Sequence, residues 1–90
     1  MYMECYALAA FRSRQSVMRF DEVLQKAGIR TQIVTTPHAV NMGCGLSVRF
    51  ACSRLPFAAR LHNEEPQDSF IGFYVAELSD GKIRISPYRV

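Results

Sequence analysis

Apolar residues recur along this chain with two spacings, one typical of strands and one typical of a helix. Residues 4–11 form a run that is apolar on both alternating faces, which predicts a first strand. Ser13 is a suitable N-cap and Gly28 a suitable stop, so the pattern predicts an amphipathic helix between them. Its apolar positions are Val17, Phe20, Val23, Leu24 and Ala27.

The second half of the chain repeats this alternation of elements. Residues 31–36 are β-branched and predict a short strand, and residues 45–52 alternate between an apolar and a polar face, which predicts another. Residues 53–65 predict a second helix, with Ser53 as its N-cap and Pro56 in its first turn. Residues 70–78 and 82–90 predict two final strands, joined by a hairpin turn at Asp80-Gly81.

The order of these elements predicts an α+β fold. Strand, helix, strand, strand, helix, strand is the ferredoxin-like βαββαβ pattern, an antiparallel sheet with two helices on one face, here with an extra C-terminal hairpin strand. We expect the first and third strands to be central. We also expect the apolar second face of the first strand to be covered by a partner subunit or by the extra strand. Residues 1–90 form a single domain in this interpretation.

Composition narrows the class of protein without naming a function. Hydrophobic residues make up 49% of the chain and 21% are charged, as in a folded globule. No apolar run approaches the ~18–20 residues of a membrane span, and the start lacks the features of a signal peptide, so we expect a cytoplasmic protein without a membrane partner. The net charge of +3 is spread along the chain, which gives no support to nucleic-acid binding.

The three cysteines, Cys5, Cys44 and Cys52, are an odd number without Cys-x-x-Cys spacing. This pattern predicts neither a disulfide framework nor a structural zinc site, and we expect reduced thiols, no metal and no cofactor. Cys5 and Cys52 fall within predicted strands, where free cysteine is usually buried and inert.

Cys44 differs from the other two because it lies in a loop between Gly43 and Gly45. Glycines on both sides let another molecule approach the sulfur closely. The topology places this loop at the same end of the sheet as the start of the first helix. A helix N-terminus and nearby arginines favour the thiolate, the reactive form of cysteine. The predicted thiolate-stabilising residues are Arg12, Ser13 and Arg14.

Three other polar residues have weaker sequence evidence for a functional role. His38, in the same loop, has the chemistry of a base or a metal ligand, although a solvated loop histidine is the more usual explanation. Arg49 lies on the polar face of the third strand, where it is a candidate anion contact or an ordinary surface residue. His62 falls in the polar end of the second helix and has no evident role.

The chain also resembles a known family at these residues. "FRS" leading into a helix that ends "LQKAGI", then "TP" followed by "CGLSVRF", is similar to the small bacterial selenium/sulfur carrier protein-like domains. The resemblance covers residues 6–50 and fades beyond Ser53, so the final hairpin looks like an addition to the family pattern. This chain differs from the family at His38 and Ala39, where the family commonly has an arginine and an acidic residue. It implies that Cys44 carries sulfur or selenium as a persulfide or selenosulfide.

Three functions of different classes are open at this point. The first is a non-enzymatic carrier that takes the atom from a donor protein and passes it to an acceptor. The second is a ligand-binding or regulatory ferredoxin-like module, compatible with a homodimer, in which the loop of Gly43 and Gly45 binds a small anion. The third is RNA binding on the open sheet face, which the lack of an aromatic residue on that face of the third strand disfavours.

Overall fold

A computed structural model describes residues 3–40 and 45–88 of the chain. The strands are β1 (Met3–Phe11), β2 (Gln32–Thr35), β3 (Leu46–Ala51), β4 (Phe70–Ser79) and β5 (Lys82–Tyr88), and the helices are α1 (Arg14–Lys26) and α2 (Leu55–Glu64). Short 3₁₀ turns cover His38–Val40 and Cys52–Arg54.

The strands form one antiparallel sheet in the order β2-β3-β1-β4-β5. β1 is therefore the middle strand, between β3 and β4. The predicted α+β class, with an antiparallel sheet and two helices, is confirmed. β4 and β5 join at the predicted turn, where Asp80 and Gly81 both have positive φ, 53° and 75°, as a two-residue type I′ hairpin requires.

One face of the sheet and both helices share a hydrophobic core. The residues that face the helices alternate along each strand, as the period of two requires. The sheet contributes Ala7, Ala9, Phe11, Val48, Phe50 and Phe73, and the helices contribute Val17, Phe20, Leu24, Leu55, Ala58 and Ala59. Because side chains from both helices belong to this one cluster, both helices lie on the same face of the sheet.

Helix α1 begins and ends where the sequence predicts. The Ser13 hydroxyl accepts a hydrogen bond from the Ser16 N–H at 3.1 Å, and so satisfies one of the unpaired donors of the first turn. At the other end Gly28 has φ of 85°, and its N–H donates to the Gln25 carbonyl. The Ile29 N–H reaches back to the Leu24 carbonyl at 2.9 Å, which completes a Schellman motif.

The start of α2 differs from the prediction. β3 covers Leu46–Ala51 and Cys52 already belongs to a 3₁₀ turn, so the predicted strand, 45–52, is one residue too long at each end. The predicted N-cap at Ser53 is wrong. Arg54 occupies the cap position without a side-chain hydrogen bond, and Pro56 lies in the first turn as expected. The 3₁₀ turn leads directly into the helix, which leaves no extended residue to cap it.

The middle of the second face of the sheet is buried, although Arg49 on the same face is exposed. Leu8, Ala10 and Ala76 are each at most 1% exposed, and so is Ser47. β5 pairs with β4 at the edge of the sheet. β5 extends the sheet beside β4, and cover of the second face by a partner subunit stays a prediction.

His62 is part of the core, which the sequence interpretation missed. It is 7% exposed, and its ring lies 3.9 Å from the Phe70 ring and 5.9 Å from the Phe20 ring, measured between centroids. Its Nε2 accepts a hydrogen bond from the Gln67 N–H at 3.3 Å. Burial lowers the pKa of His62 from its ordinary 6.5, so the core favours the neutral imidazole.

Candidate functional site

Hydrogen bonds join the two ends of the segment between β2 and β3. The Thr36 N–H donates to the Gly45 carbonyl at 2.8 Å. The Thr36 hydroxyl also lies 2.6 Å from the hydroxyl of Ser47, which is fully buried. These two hydrogen bonds hold the two ends of the segment together at one end of the sheet, called here the Gly45 end.

Gly45 has a backbone conformation that explains its identity. Its φ is +89°, and among the described residues no atom beyond its chain neighbours lies within 4 Å of where a Cβ would be. The constraint is therefore conformational, because a side chain would fit the space but not the positive φ. Gly45 itself is exposed.

The start of α1 lies at the same end of the sheet. Ala10 of β1 is opposite Ser47 of β3, so Arg12, one residue after Phe11 at the end of β1, and Gly45, one residue before β3, share the Gly45 end. Arg12 is exposed and its backbone N–H donates to the Ser69 carbonyl at 2.8 Å.

A chain of hydroxyl groups fixes this start of the helix. Ser13 Oγ donates to Ser16 Oγ at 2.9 Å, and Ser69 Oγ donates to the same oxygen. These bonds link the β1–α1 turn to the residue before β4. The Ser13 hydroxyl is thus occupied in capping α1, while Arg12 and Arg14 are exposed and make no ion pair within residues 3–40 and 45–88.

The central site residues Gly43 and Cys44 lie outside the described residues. Of the remaining predicted site residues, Arg12, Ser13 and Arg14 are at the Gly45 end together with Gly45. His38 is exposed and belongs to the 3₁₀ turn on the same segment. The described part of the site is therefore the Gly45 end, with its base at Thr36 and Ser47 and the exposed Arg12 and Arg14 at the start of α1.

Arg49 lies away from the Gly45 end of the sheet. It is four residues beyond Gly45 on the sequence, about 13 Å along the strand. Its guanidinium carbon is 4.0 Å from the centroid of the Tyr6 ring, a cation–π contact across β1 and β3. Arg49 is exposed, so its charge is available to an anion at a second location.

Two expectations that the sequence raised about Cys5 and Cys52 are wrong. These residues are not free thiols, because they form a disulfide with each other. Tyr6 pairs with Ala51 across β1 and β3, so the next position in register places Cys5 opposite Cys52. Their Cα atoms are 6.0 Å apart, the usual separation for a disulfide. They are also not buried, since Cys5 is exposed and Cys52 is half-buried. Cysteine count and spacing miss this pair because it depends on strand register.

The described ranges contain no group of three or more His, Cys, Asp or Glu side chains that could hold a metal ion. None of the helices in those ranges is long and apolar enough to span a membrane.

Comparison with known proteins gives one match. The family model described as "Putative Se/S carrier protein-like" matches residues 6–74, which run from within β1 to the middle of β4. The match continues well past Ser53 and includes α2, so the expectation that the likeness fades there is wrong. β5 lies outside it. No curated protein and no solved structure matches the chain.

Proposed function

Because this chain belongs to the family of Se/S carrier protein-like domains, we propose that it carries a sulfur or selenium atom on Cys44 and passes it to a partner protein. The observation that carries the proposal is that the family match spans the Cys44-Gly45 segment. In this proposal the chain is a carrier and not an enzyme. It acts in the cytoplasm between a donor protein and an acceptor protein.

The chemistry needs only a nucleophilic sulfur. The Cys44 thiolate attacks the outer sulfur of a donor persulfide, R–S–SH. The new bond joins Cys44 Sγ to that outer sulfur, and the donor's S–S bond breaks to release R–S⁻, which takes up a proton. An acceptor thiolate then attacks the same outer atom, the bond between Cys44 Sγ and that atom breaks, and the acceptor keeps the atom as its own persulfide while Cys44 returns to its thiolate. Selenium follows the same steps as a selenosulfide.

The described residues around the segment support this proposal. Gly45 is exposed and has no side chain to obstruct an approaching donor. Arg12 and Arg14 add positive charge at the same end of the sheet, and the N-terminus of α1 adds its partial positive charge. Each favours an anion at this end, and the thiolate is an anion.

The strand order supports a finer fold assignment as well. Four strands in the order β2-β3-β1-β4, with both helices on one face, support a ferredoxin-like arrangement, and β5 is the addition at its edge. The proposal includes a homodimer in which the exposed edge of β5 pairs with a second copy of the chain.

The experiment that tests the carrier function loads the protein with sulfur. The purified chain is incubated with a small persulfide donor, excess reagent is removed, and the mass of each cysteine peptide is measured. We expect one added sulfur on the Cys44 peptide and none in Cys44→Ser. Absence of the added sulfur on Cys44, under conditions that load an established carrier protein, would contradict the proposal.

A second measurement tests the role of the arginines. Arg12→Gln and Arg14→Gln each remove a positive charge at the Gly45 end, so loading of Cys44 near neutral pH should slow by about threefold to fivefold. Arg84→Gln, an exposed arginine on β5, is the matched control and should load at the wild-type rate. Equal slowing in all three variants would show that general charge, rather than position, sets the rate.

The competing function, a regulatory module that binds a small anion without covalent chemistry, predicts a different outcome. A Cys44→Ser variant that keeps anion binding and function in the cell would favour the module. A variant that folds normally but loses function in the cell would favour the carrier.

A further inference from the structure

An open groove of about 830 Å³ lies at the end of the sheet opposite the Gly45 end. We call it the Cys5 groove. It runs between the segment that leads from α1 into β2 and the outer edge of β3. Its lining includes Cys5, Tyr6, Arg30, Gln32 and Arg49. All of these residues belong to the part of the chain that the structure describes.

The floor of the groove is a free strand edge. β2 begins at Gln32, which is opposite Arg49, so Phe50 and Ala51 extend beyond the last paired residue of β2. Backbone donors and acceptors on this side of β3 have no neighbouring strand. The short β2 thus leaves a place where a small peptide-like molecule can reach the backbone of β3 and the sulfur of Cys5 together.

Two arginines give the groove its charge. Arg30 and Arg49 both line it and both are exposed. Neither forms an ion pair with any residue in ranges 3–40 and 45–88. Arg49 stacks on Tyr6 at 4.0 Å on the face of the sheet away from the helices, since it alternates with the core residue Phe50. Cys5 lies on the helix face with Ala7, so Arg30, on the segment that follows α1, is the arginine on the same side as the disulfide. The arrangement combines this positive charge with an accessible disulfide sulfur.

We propose that the Cys5 groove binds a small thiol carrying a carboxylate and that this thiol reduces the Cys5–Cys52 disulfide. The carboxylate pairs with Arg30, and the thiolate of the same molecule reaches Cys5. Cys5 is the sulfur attacked, because it is exposed and lines the groove, whereas Cys52 is half-buried. The inference concerns the other end of the sheet and does not depend on the carrier function.

The exchange balances in two steps. The bound thiolate RS⁻ attacks Cys5 Sγ, the Cys5–Cys52 bond breaks, and Cys52 leaves as a thiolate that takes a proton from solvent. A second RS⁻ attacks the outer sulfur of the mixed disulfide and releases Cys5 as a thiolate. The products are RS–SR and two protein thiols, so two molecules of the small thiol supply both electrons.

The test compares two small thiols on Cys44→Ser protein, in which only Cys5 and Cys52 can react. The probes are 3-mercaptopropionate, which is anionic, and 2-mercaptoethanol, which is neutral. Each rate of disulfide reduction is measured at equal thiolate concentration and divided by that thiol's rate on bis(2-hydroxyethyl) disulfide, which removes differences in intrinsic reactivity. We expect a normalised advantage of about fivefold or more for the anionic thiol, reduced at high salt.

Substitutions test whether the groove causes the rate advantage of the anionic thiol. Arg30→Gln should reduce it by about threefold to fivefold, while Arg49→Gln, on the opposite face of the sheet, and Arg84→Gln on β5 should leave it unchanged. In Cys44→Ser with Cys52→Ser, oxidised 3-mercaptopropionate should leave a stable adduct on Cys5, which peptide mass locates.

Three outcomes would overturn the proposal. The first is equal normalised rates for the two thiols on Cys44→Ser protein. The second is an equal loss of the advantage in Arg84→Gln. The third is protein, purified without reductant, in which mass shows Cys5 and Cys52 both as free thiols. Loss of sulfur loading on Cys44 would leave all three measurements as they are, so failure of the carrier function is distinguishable.

Discussion

Lowering the pH should destabilise this protein through His62. Its imidazole is surrounded by the rings of Phe11, Phe20, Phe70 and Phe73, and its Nε2 already accepts the Gln67 N–H. A proton on Nε2 would replace this acceptor with a second donor and would bury a charge among phenyl rings. The folded state therefore resists protonation.

The sign and size of the effect follow from linkage. Burial lowers the pKa of His62 in the folded state, while the unfolded chain keeps the ordinary 6.5. The stabilisation is complete above pH 6.5 and is lost as the pH falls from there through the folded pKa. One extra proton on the unfolded chain gives a slope of at most about 1.4 kcal/mol per pH unit. At pH 5.5 the loss is at most about 1.4 kcal/mol, or about 7 °C in Tm.

The assay is urea unfolding of the wild type and His62→Gln at intervals between about pH 7.5 and pH 5.5. Glutamine can accept the Gln67 N–H but does not titrate, so the stability difference between the two proteins should narrow as the pH falls. His38→Gln is the matched control, because His38 is exposed, and its difference from the wild type should stay constant. A difference for His62→Gln that does not change with pH would refute the reasoning.

Three further predictions concern the cysteines and one glycine. Reduction of Cys5–Cys52, which closes a separation of 47 residues, should cost up to about 4 kcal/mol in the free energy of unfolding, and equal urea midpoints for the oxidised and reduced protein would contradict this. With that pair joined, iodoacetamide should label Cys44 alone, with a rate that rises at a pH below the ordinary thiol pKa of about 8.5; labelling that rises only at or above this pH would contradict it. Gly45→Ala should cost about 1–2 kcal/mol in the free energy of unfolding, because Ala disfavours the positive φ. Gly72→Ala is the control: its new methyl would make only ordinary contacts with the Tyr74 ring, so stability in the same urea assay should change by less than about 0.5 kcal/mol. Equal losses in the two variants would show that φ is not the cause.

Local patterns in the sequence were sufficient for most of the secondary structure. The helical spacing of Val17, Phe20 and Leu24, between a capping serine and a terminating glycine, identified α1 at both ends. Strand alternation and the Asp80-Gly81 turn identified the hairpin. These signals succeed because each depends on residues within about one helical turn or one β-turn of each other. Ser53 misled the prediction for α2, since a 3₁₀ turn supplied the helix start instead.

The candidate site shows the same division between local and tertiary information. Sequence selected Cys44 and Gly45 from the glycines around one thiol, and the order of elements placed Arg12 at the same end of the sheet. The closing of that segment by Thr36 and Ser47 depends on how β2 pairs with β3, and no local pattern records it.

Only the tertiary structure determined the surroundings of Cys5, Cys52 and His62. Cys5 and Cys52 look like two unrelated strand cysteines until the register of β1 and β3 places them opposite each other. His62 looks like a polar residue near the end of a helix until phenyl rings from β1, α1 and β4 surround it. In both cases the partners are far apart along the chain, and the contact exists only because the sheet brings them together. A sequence pattern reports which face of an element is apolar, whereas pairing across the sheet determines which side chains meet on it.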